Sequence, residues 1–192
     1  RWIGRRSGRY GMTPTRDELD RAWSHILAAP KDGAAISHLC IRTERNSRQF
    51  VDELHLSADG GIEGDPRWLN EPWLKTADGK GHPGIQVCVL AKRVLDLVWK
   101  GDVIFPGDSF VADMDLSMDN LPTGTRLAVG SAVLEVSEVF NEGCVKWKAR
   151  YGQDAYDWAR DPMNKHLRPR GILCSIVQDG IIRTGDRLLK QQ

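Results

Sequence analysis

The residues with the clearest chemical potential lie within positions 143–152. Cys144 follows a glycine and opens a helix-compatible run that carries three cations: Lys146, Lys148 and Arg150. A thiolate binds metals and attacks electrophiles, and nearby cations or a helix N-terminus lower the pKa of a cysteine. We therefore predict that Cys144 is the reactive residue of this chain.

The spacing along a helix ranks the neighbouring cations. Residues 144 and 148 share one helix face, whereas residue 146 points away. Lys148 is therefore the better candidate for stabilising the thiolate of Cys144. The other cysteines (Cys40, Cys88 and Cys174) each lie beside an apolar residue and are predicted to be small buried hydrophobes.

Composition excludes several classes of protein. The chain has 192 residues, of which 41% are hydrophobic and 28% charged, with a net charge of +1. This predicts a single domain with a sizeable core and argues against nucleic-acid binding by bulk charge. No apolar run is long enough to cross a membrane. The four cysteines form no CxxC pair, so we expect no structural zinc and a reducing, cytoplasmic setting.

The N-terminal region has two parts. The first sixteen residues contain five arginines and no acid, which we interpret as a basic tail rather than a targeting remnant. Thr15 and Glu18 then have capping-box spacing, and apolar residues from Leu19 to Leu27 follow the helical repeat until Pro30. The sequence thus predicts a packing helix before the main domain.

Short strands dominate the rest of the chain. Gly130-Ser131 and Asp179-Gly180 each predict a hairpin between flanking strands. Residues 66–84 lack periodicity, and their Trp68 and Trp73 either line a pocket for a flat ligand or cover the domain. The remaining predicted strands are 35–42, 49–56, 86–90, 102–105 and 109–112, and the predicted helices are 91–99, 144–151 and 153–160.

Several motifs occur in a characteristic order. They are Gly61-Ile62-Glu63-Gly64-Asp65, Pro106-Gly107-Asp108-Ser109, Leu121-Pro122-Thr123-Gly124-Thr125, Gly143-Cys144-Val145-Lys146 and Arg170-Gly171-Ile172. The ordered set resembles the MOSC family, named after the C-terminal domain of molybdenum cofactor sulfurase. The resemblance implies a stand-alone, mainly β (α+β) protein. Residues 1–34 would form the tail and helix, and residues 35–192 a β-barrel domain with peripheral helices.

The resemblance also implies a function. In characterised relatives the motif cysteine ligates molybdenum in a pterin cofactor (molybdopterin), so Cys144 is the implied metal ligand and catalytic residue. Some relatives reduce N-hydroxylated small molecules, and this chain has no dinucleotide fingerprint, so electrons would come from a separate reductase. One alternative is a sulfur carrier with a Cys144 persulfide and a cysteine desulfurase as partner. The other is a metal-free barrel that binds another ligand.

A pterin phosphate needs cations and backbone donors around it. The candidate cofactor-binding residues are Asp65, Arg67, His82, Lys148, Arg168 and Arg170. Arginines bind phosphate with two parallel hydrogen bonds, which favours Arg168 and Arg170 before their strand. Two elements differ from many relatives: Asn141-Glu142-Gly143 before the cysteine, and Gly107-Asp108-Ser109. These differences keep the metal-free alternative open.

Overall fold

Seven strands close into a barrel at the centre of the molecule. The structure is a computed structural model, which describes residues 13–44, 46–101 and 104–191. The strands are β1 (Ala34–Ser37), β2 (Cys40–Ile41), β3 (Gln49–Phe50), β4 (Glu53–Ser57), β5 (Gly61–Ile62), β6 (Val87–Ala91), β7 (Phe110–Ala112), β8 (Arg126–Val129), β9 (Ala132–Val136), β10 (Ile172–Gln178), β11 (Gly180–Arg183) and β12 (Arg187–Lys190).

The barrel order is β1-β12-β8-β9-β10-β6-β7. All its neighbours are antiparallel except β6 and β7, which are parallel. A three-stranded sheet, β11-β4-β5, and a ribbon, β2-β3, lie outside the barrel. Among the described residues, five α-helices surround these sheets: α1 (Arg16–Arg21), α2 (Trp23–Leu27), α3 (Arg67–Asn70), α4 (Lys92–Val98) and α5 (Val145–Arg160). The predicted mainly β barrel with peripheral helices is confirmed.

The N-terminal helix begins as its sequence predicts. Thr15 is the N-cap of α1, and its side chain and that of Glu18 form a reciprocal capping box. The helical region is divided at Ala22, where α1 ends and α2 begins. Arg16 joins this region to α5 through an ion pair of 2.6 Å with Asp161. Residues 1–12 of the predicted basic tail lie outside the described residues, and the division at residue 35 stays a prediction.

One predicted hairpin is correct and the other is wrong. Gly130 has φ +56°, and β8 pairs with β9 around it. At Asp179 the chain leaves the barrel instead, because β10 pairs with β6 and β9 while β11 pairs with β4. Gly180 packs so closely against Ala132 that a side chain at that position would collide with its backbone. Gly180 therefore lies where the chain passes from the barrel to the three-stranded sheet β11-β4-β5.

Three further strand predictions need correction. The strand predicted over 49–56 is divided into β3, which pairs with β2, and β4, which pairs with β5 and β11. The strand predicted over 35–42 is interrupted at His38, which has φ +53° and separates β1 from β2. Of the strand predicted over 102–105, residues 102 and 103 lie outside the described residues, and Ile104 and Phe105 belong to no strand. Within the described parts of the chain, no helix has the length and apolar character to cross a membrane.

Candidate active site

A cavity of about 580 Å³ lies between α3, the start of α5 and the outer side of the barrel. This volume is within the usual range for small-molecule and cofactor sites. Two cysteines, Cys88 and Cys144, reach its surface. Seven cationic side chains also line it: Arg42, Arg48, Arg67, Lys146, Arg150, Arg160 and Arg170. Two carboxylates, Glu71 and Glu142, line it as well, so the cavity combines thiols with an excess of positive charge.

Cys144 lies at the entrance to α5. It is the N-cap residue, with extended backbone (φ −99°, ψ 172°), and its side chain is exposed. Gly152 interrupts the helical backbone with φ +92°, so only a short helical segment follows the cysteine directly. The positive environment of the Cys144 thiol therefore comes mainly from side chains, and the guanidinium of Arg170 is within electrostatic reach of it.

Two arginines of the cavity converge on one short loop. Arg48 donates from Nε to the carbonyl of Phe105 at 3.1 Å, and Arg150 donates from Nη1 to the carbonyl of Pro106 at 3.2 Å. Burial, followed by the like charge of Arg150, lowers the pKa of Arg48. Neither guanidinium forms an ion pair with a carboxylate of the described residues. This arrangement leaves two adjacent positive charges available to an anion.

Two buried ion pairs support the floor of the cavity. Arg42 contacts Asp65 at 2.8 Å, and Arg170 contacts Asp108 at 2.7 Å. Both carboxylates are buried, and Oδ2 of Asp108 has no hydrogen-bond partner among the described residues. Cys88 lies within electrostatic reach of both pairs, and burial raises the pKa of its thiol. Both arginines are therefore fixed in orientation where they face the cavity.

The structure brings together three of the predicted site residues. Cys144, Arg67 and Arg170 all line the cavity. Arg170 is held by Asp108 on one side and lies over the ring of Trp147, 4.6 Å from its centroid. Arg67 approaches Glu71 at 3.6 Å, while its Nε is buried without a hydrogen-bond partner among the described residues.

Asp65 and His82 have supporting positions instead. Asp65 does not line the cavity, but its carboxylate holds the side chain and backbone N–H of Arg42. Nδ1 of His82 accepts a hydrogen bond from the backbone N–H of Gly84 and caps a short 3₁₀ turn over residues 83–85. These contacts shape the polypeptide beside the cavity.

Lys148 and Arg168 lie outside the cavity. Because Cys144 caps the helix rather than belonging to it, the helical-face argument does not apply, and Lys146 lines the cavity instead of Lys148. Lys148 is exposed, 5.7 Å from the ring centroid of Tyr156. Arg168 is buried, and its Nη1 donates to the carbonyls of Leu116 and Leu121. Its guanidinium therefore secures a loop, and the residue lines a separate cavity of about 260 Å³.

Sequence reasoning missed four thiol or cationic residues of the cavity wall: Arg42, Arg48, Cys88 and Arg160. Arg42 and Arg48 come from the ribbon β2-β3 and its turn, far from Cys144 in the chain. Cys88 was expected to be a buried hydrophobe like Cys40 and Cys174, which are both fully buried. Cys88 is partly exposed while the other four residues of β6 are buried, and its apolar sequence neighbours give no signal of that difference. Among the described residues, no group of three or more His, Cys, Asp or Glu side chains forms a metal site.

Comparison with known proteins supports the family relationship. Residues 107–189 match the family model of the MOSC domain, which includes Cys144, Arg170 and the Asp108 loop. The resemblance of the sequence to the MOSC family is thereby confirmed over residues 107–189. No curated protein shows significant sequence similarity to it.

Solved structures share the fold. The YuaD protein from Bacillus subtilis is 21% identical, with a TM-score of 0.56 over 83% of this chain and 97% of its own. YiiM from Escherichia coli is 18% identical, with a TM-score of 0.54 over 83% of this chain and 70% of its own. At these identities the likeness establishes the architecture alone.

Proposed function

We propose that this MOSC-domain protein binds a molybdenum–pterin cofactor through the thiolate of Cys144 and reduces N-hydroxylated compounds. The observation that carries the proposal is the position of Cys144: an exposed thiol on a cavity lined by seven cationic side chains. Thiolate is a suitable soft ligand for such a metal. Cations are suited to the anionic remainder of the cofactor.

The residues present fit the parts of this cofactor. Arg48 and Arg150, which have no carboxylate partner among the described residues, would bind its phosphate. Arg67 has a buried Nε without a partner, and this group would donate to a polar edge of the pterin. Cys144 would be the protein ligand of the metal. The cofactor would supply two-electron redox chemistry at that position.

The protein's own groups would then orient the substrate and stabilise charge. Arg170 is fixed by Asp108 and Trp147, so its positive charge would be in place beside a bound substrate without any rearrangement. The overall reaction consumes two electrons and two protons, breaks the N–O bond and yields the amine or amidine together with water. A separate reductase would supply the electrons.

Metal analysis tests the proposal most directly. We would purify the wild type, Cys144→Ser and Cys88→Ser from a host that makes molybdenum cofactor, and measure molybdenum and pterin per chain. We expect stoichiometric molybdenum in the wild type, retention in Cys88→Ser and loss in Cys144→Ser. Absence of molybdenum from all three proteins, or retention in Cys144→Ser, would contradict the proposal.

The anion site has a test that needs no cofactor. Inorganic pyrophosphate should raise the Tm of the wild type, because a ligand at ten times its Kd stabilises the native state by about 1.4 kcal/mol. Arg150→Met should remove most of this shift. Arg126→Met is a matched control, since Arg126 is an exposed barrel residue paired with Glu135 at 3.2 Å. An equal shift in Arg150→Met and Arg126→Met would place the anion elsewhere.

The exposure of Cys144 also favours a second function, sulfur carriage. A cysteine desulfurase would transfer one sulfur atom from its own persulfide to the Cys144 thiol, which leaves a thiol on the desulfurase and a persulfide on Cys144. Arg170 would stabilise the persulfide anion. Incubation with a desulfurase and cysteine should then add the mass of one sulfur atom to the wild type but not to Cys144→Ser. An unchanged wild-type mass would exclude this role.

A further inference from the structure

Two tryptophans of the segment after β5 have opposite environments. Trp68 is held within the protein: it packs over Gly61, 3.0 Å from the position that a Cβ would occupy, and also fits against Gly81. Its Nε1 donates to the carbonyl of His82 at 2.9 Å. Its orientation is therefore fixed by these two glycines and one carbonyl.

Trp73 has none of these restraints. Its side chain is 66% exposed, although it lines the same cavity. It makes no hydrogen bond and no ring contact with any other described residue. A large aromatic side chain gains most when both of its faces are covered. Its exposed indole at the edge of a cavity therefore provides an uncovered surface beside the candidate active site.

A second exposed apolar residue lies on another part of the cavity wall. Val145 directly follows Cys144, is 74% exposed and also lines the cavity. Trp73 comes from the segment after α3, whereas Val145 is the first residue of α5. The cavity therefore has apolar groups at its exposed margin and buried ion pairs at its floor. A ligand with a polar reacting group and an apolar ring matches this division.

We propose that Trp73, together with Val145, forms a stacking site that selects substrates carrying a planar aromatic ring. The reactive group of such a substrate would face Cys144, and the ring would cover the indole of Trp73. As far as turnover is concerned, this inference rests on the proposed reductase function. The recognition of the ring depends only on the cavity, so it can be tested separately.

The turnover test compares two substrates with the same reactive group. Benzamidoxime carries an aromatic ring and acetamidoxime a methyl group. For the cofactor-loaded enzyme with a reductant, we expect Trp73→Ala to lower kcat/KM for benzamidoxime about tenfold, since an aromatic pair contributes up to about 1.5 kcal/mol beyond area burial. The value for acetamidoxime should stay within about twofold. Trp73→Phe should retain most of the preference.

Leu69→Ala is the matched control. Leu69 is 56% exposed on the neighbouring helix α3 but does not line the cavity. Its replacement removes a comparable exposed apolar side chain and should leave both kcat/KM values unchanged. An equal loss for the two substrates in Trp73→Ala, or no loss for benzamidoxime, would overturn the proposal.

A binding measurement separates this inference from the reductase function. Cofactor-free full-length protein cannot turn over either compound, so equilibrium binding of benzamidoxime and acetamidoxime can be followed by changes in the indole N–H signals in NMR spectra. We expect the wild type to bind benzamidoxime at least about fivefold more tightly, and Trp73→Ala to lose this preference. A wild type without the preference, or a Trp73→Ala variant that keeps it, would overturn the stacking site even if the enzyme proves to be a reductase.

Discussion

The four cysteines of this chain differ sharply in their surroundings. Cys144 is exposed, Cys88 is partly exposed at the cavity floor, and Cys40 and Cys174 are buried. Burial raises the pKa of Cys40, Cys88 and Cys174. Since only the thiolate reacts, these three should be poor nucleophiles at neutral pH.

Selective alkylation is therefore expected at Cys144. Brief treatment of the native protein with N-ethylmaleimide at pH 7 should add one adduct, whereas the denatured chain should add four. Cys144→Ser should add none in the native state over the same time. Intact-mass spectrometry reads out the result, and native Cys88 reacting as fast as Cys144 would contradict this expectation.

The lysines near Cys144 show the limit of predicting a site from helical spacing alone. The sequence predicts that Cys144 is reactive and that a helix lies beside it, but it places residue 144 inside the helix. In the structure Cys144 precedes the first helical residue. Because the backbone of Cys144 is extended, its side chain does not follow the helical spacing that relates residues 144 and 148. Lys146 therefore lines the cavity and Lys148 lies outside it.

At the scale of single elements, the loop over residues 113–121 is held by buried polar groups. Asp115 accepts a hydrogen bond from Lys31 at 2.8 Å and another from the backbone N–H of Ser117. Nδ2 of Asn120 donates to the carbonyls of Lys31 and Asp115. Arg168 binds the same loop from the other side. The loop is consequently ordered by side chains rather than by strand pairing.

Asp115→Asn should destabilise the protein by about 1–3 kcal/mol at pH 7, because it weakens the charge-assisted hydrogen bonds of a buried carboxylate. Burial acts to raise the pKa of Asp115, but hydrogen bonds from Lys31 and Ser117 outweigh it and hold the pKa below its usual value. The stabilisation is therefore fully present above the unfolded-state pKa of about 3.9 and is lost as the pH falls through the lower folded-state pKa.

Urea unfolding at several pH values measures this effect. The difference between wild type and Asp115→Asn should be constant above about pH 5 and should shrink below about pH 4. Asp119→Asn is the control, since Asp119 is an exposed residue of the same loop without an ion pair to the described residues. If the difference in free energy of unfolding between the wild type and Asp115→Asn did not change with pH, the lowered pKa of Asp115 would be refuted.

Element prediction succeeded where local contacts determine the structure. The capping box at Thr15 and the hairpin at Gly130 depend on neighbouring residues, and both are present. Asp179-Gly180 has the composition of a hairpin turn as well, but the partners of β11 lie in β4, more than a hundred positions earlier. Pairing between distant strands overrides the turn signal, and local spacing does not reveal it.

At the scale of the whole molecule, the cavity collects residues from four distant parts of the chain. Arg48, Trp73, Cys88 and Cys144 become neighbours only when the barrel and its surrounding segments assemble. The ordered motifs predicted the barrel and drew attention to Cys144, which precedes α5 outside the barrel. The remaining wall residues had no local signal, because arginines at such positions are usually solvated surface charges.

Barrel closure provides a test of the architecture. Leu188 and Leu189 are adjacent in β12, but Leu188 is fully buried and Leu189 is 46% exposed. Leu188→Ala should lower the free energy of unfolding by about 2–5 kcal/mol. Leu189→Ala should change it by less than about 1 kcal/mol. Urea denaturation of the two variants checks which residues of β12 face the core. Similar losses in the free energy of unfolding for Leu188→Ala and Leu189→Ala would contradict this register.

The same closure has a consequence for the making of the protein. Ala34 in β1 pairs with Leu188 in β12, so the barrel joins strands from opposite ends of the described chain. On the ribosome, β1 emerges long before β12 is translated, whereas the β8-β9 hairpin can form at once. Until β12 is available, one edge of β1 lacks its partner strand, and an unpaired edge is a template for pairing with another chain. Completion of this barrel therefore waits for β12, the last of its strands to be translated, and we expect chaperones to bind the incomplete barrel.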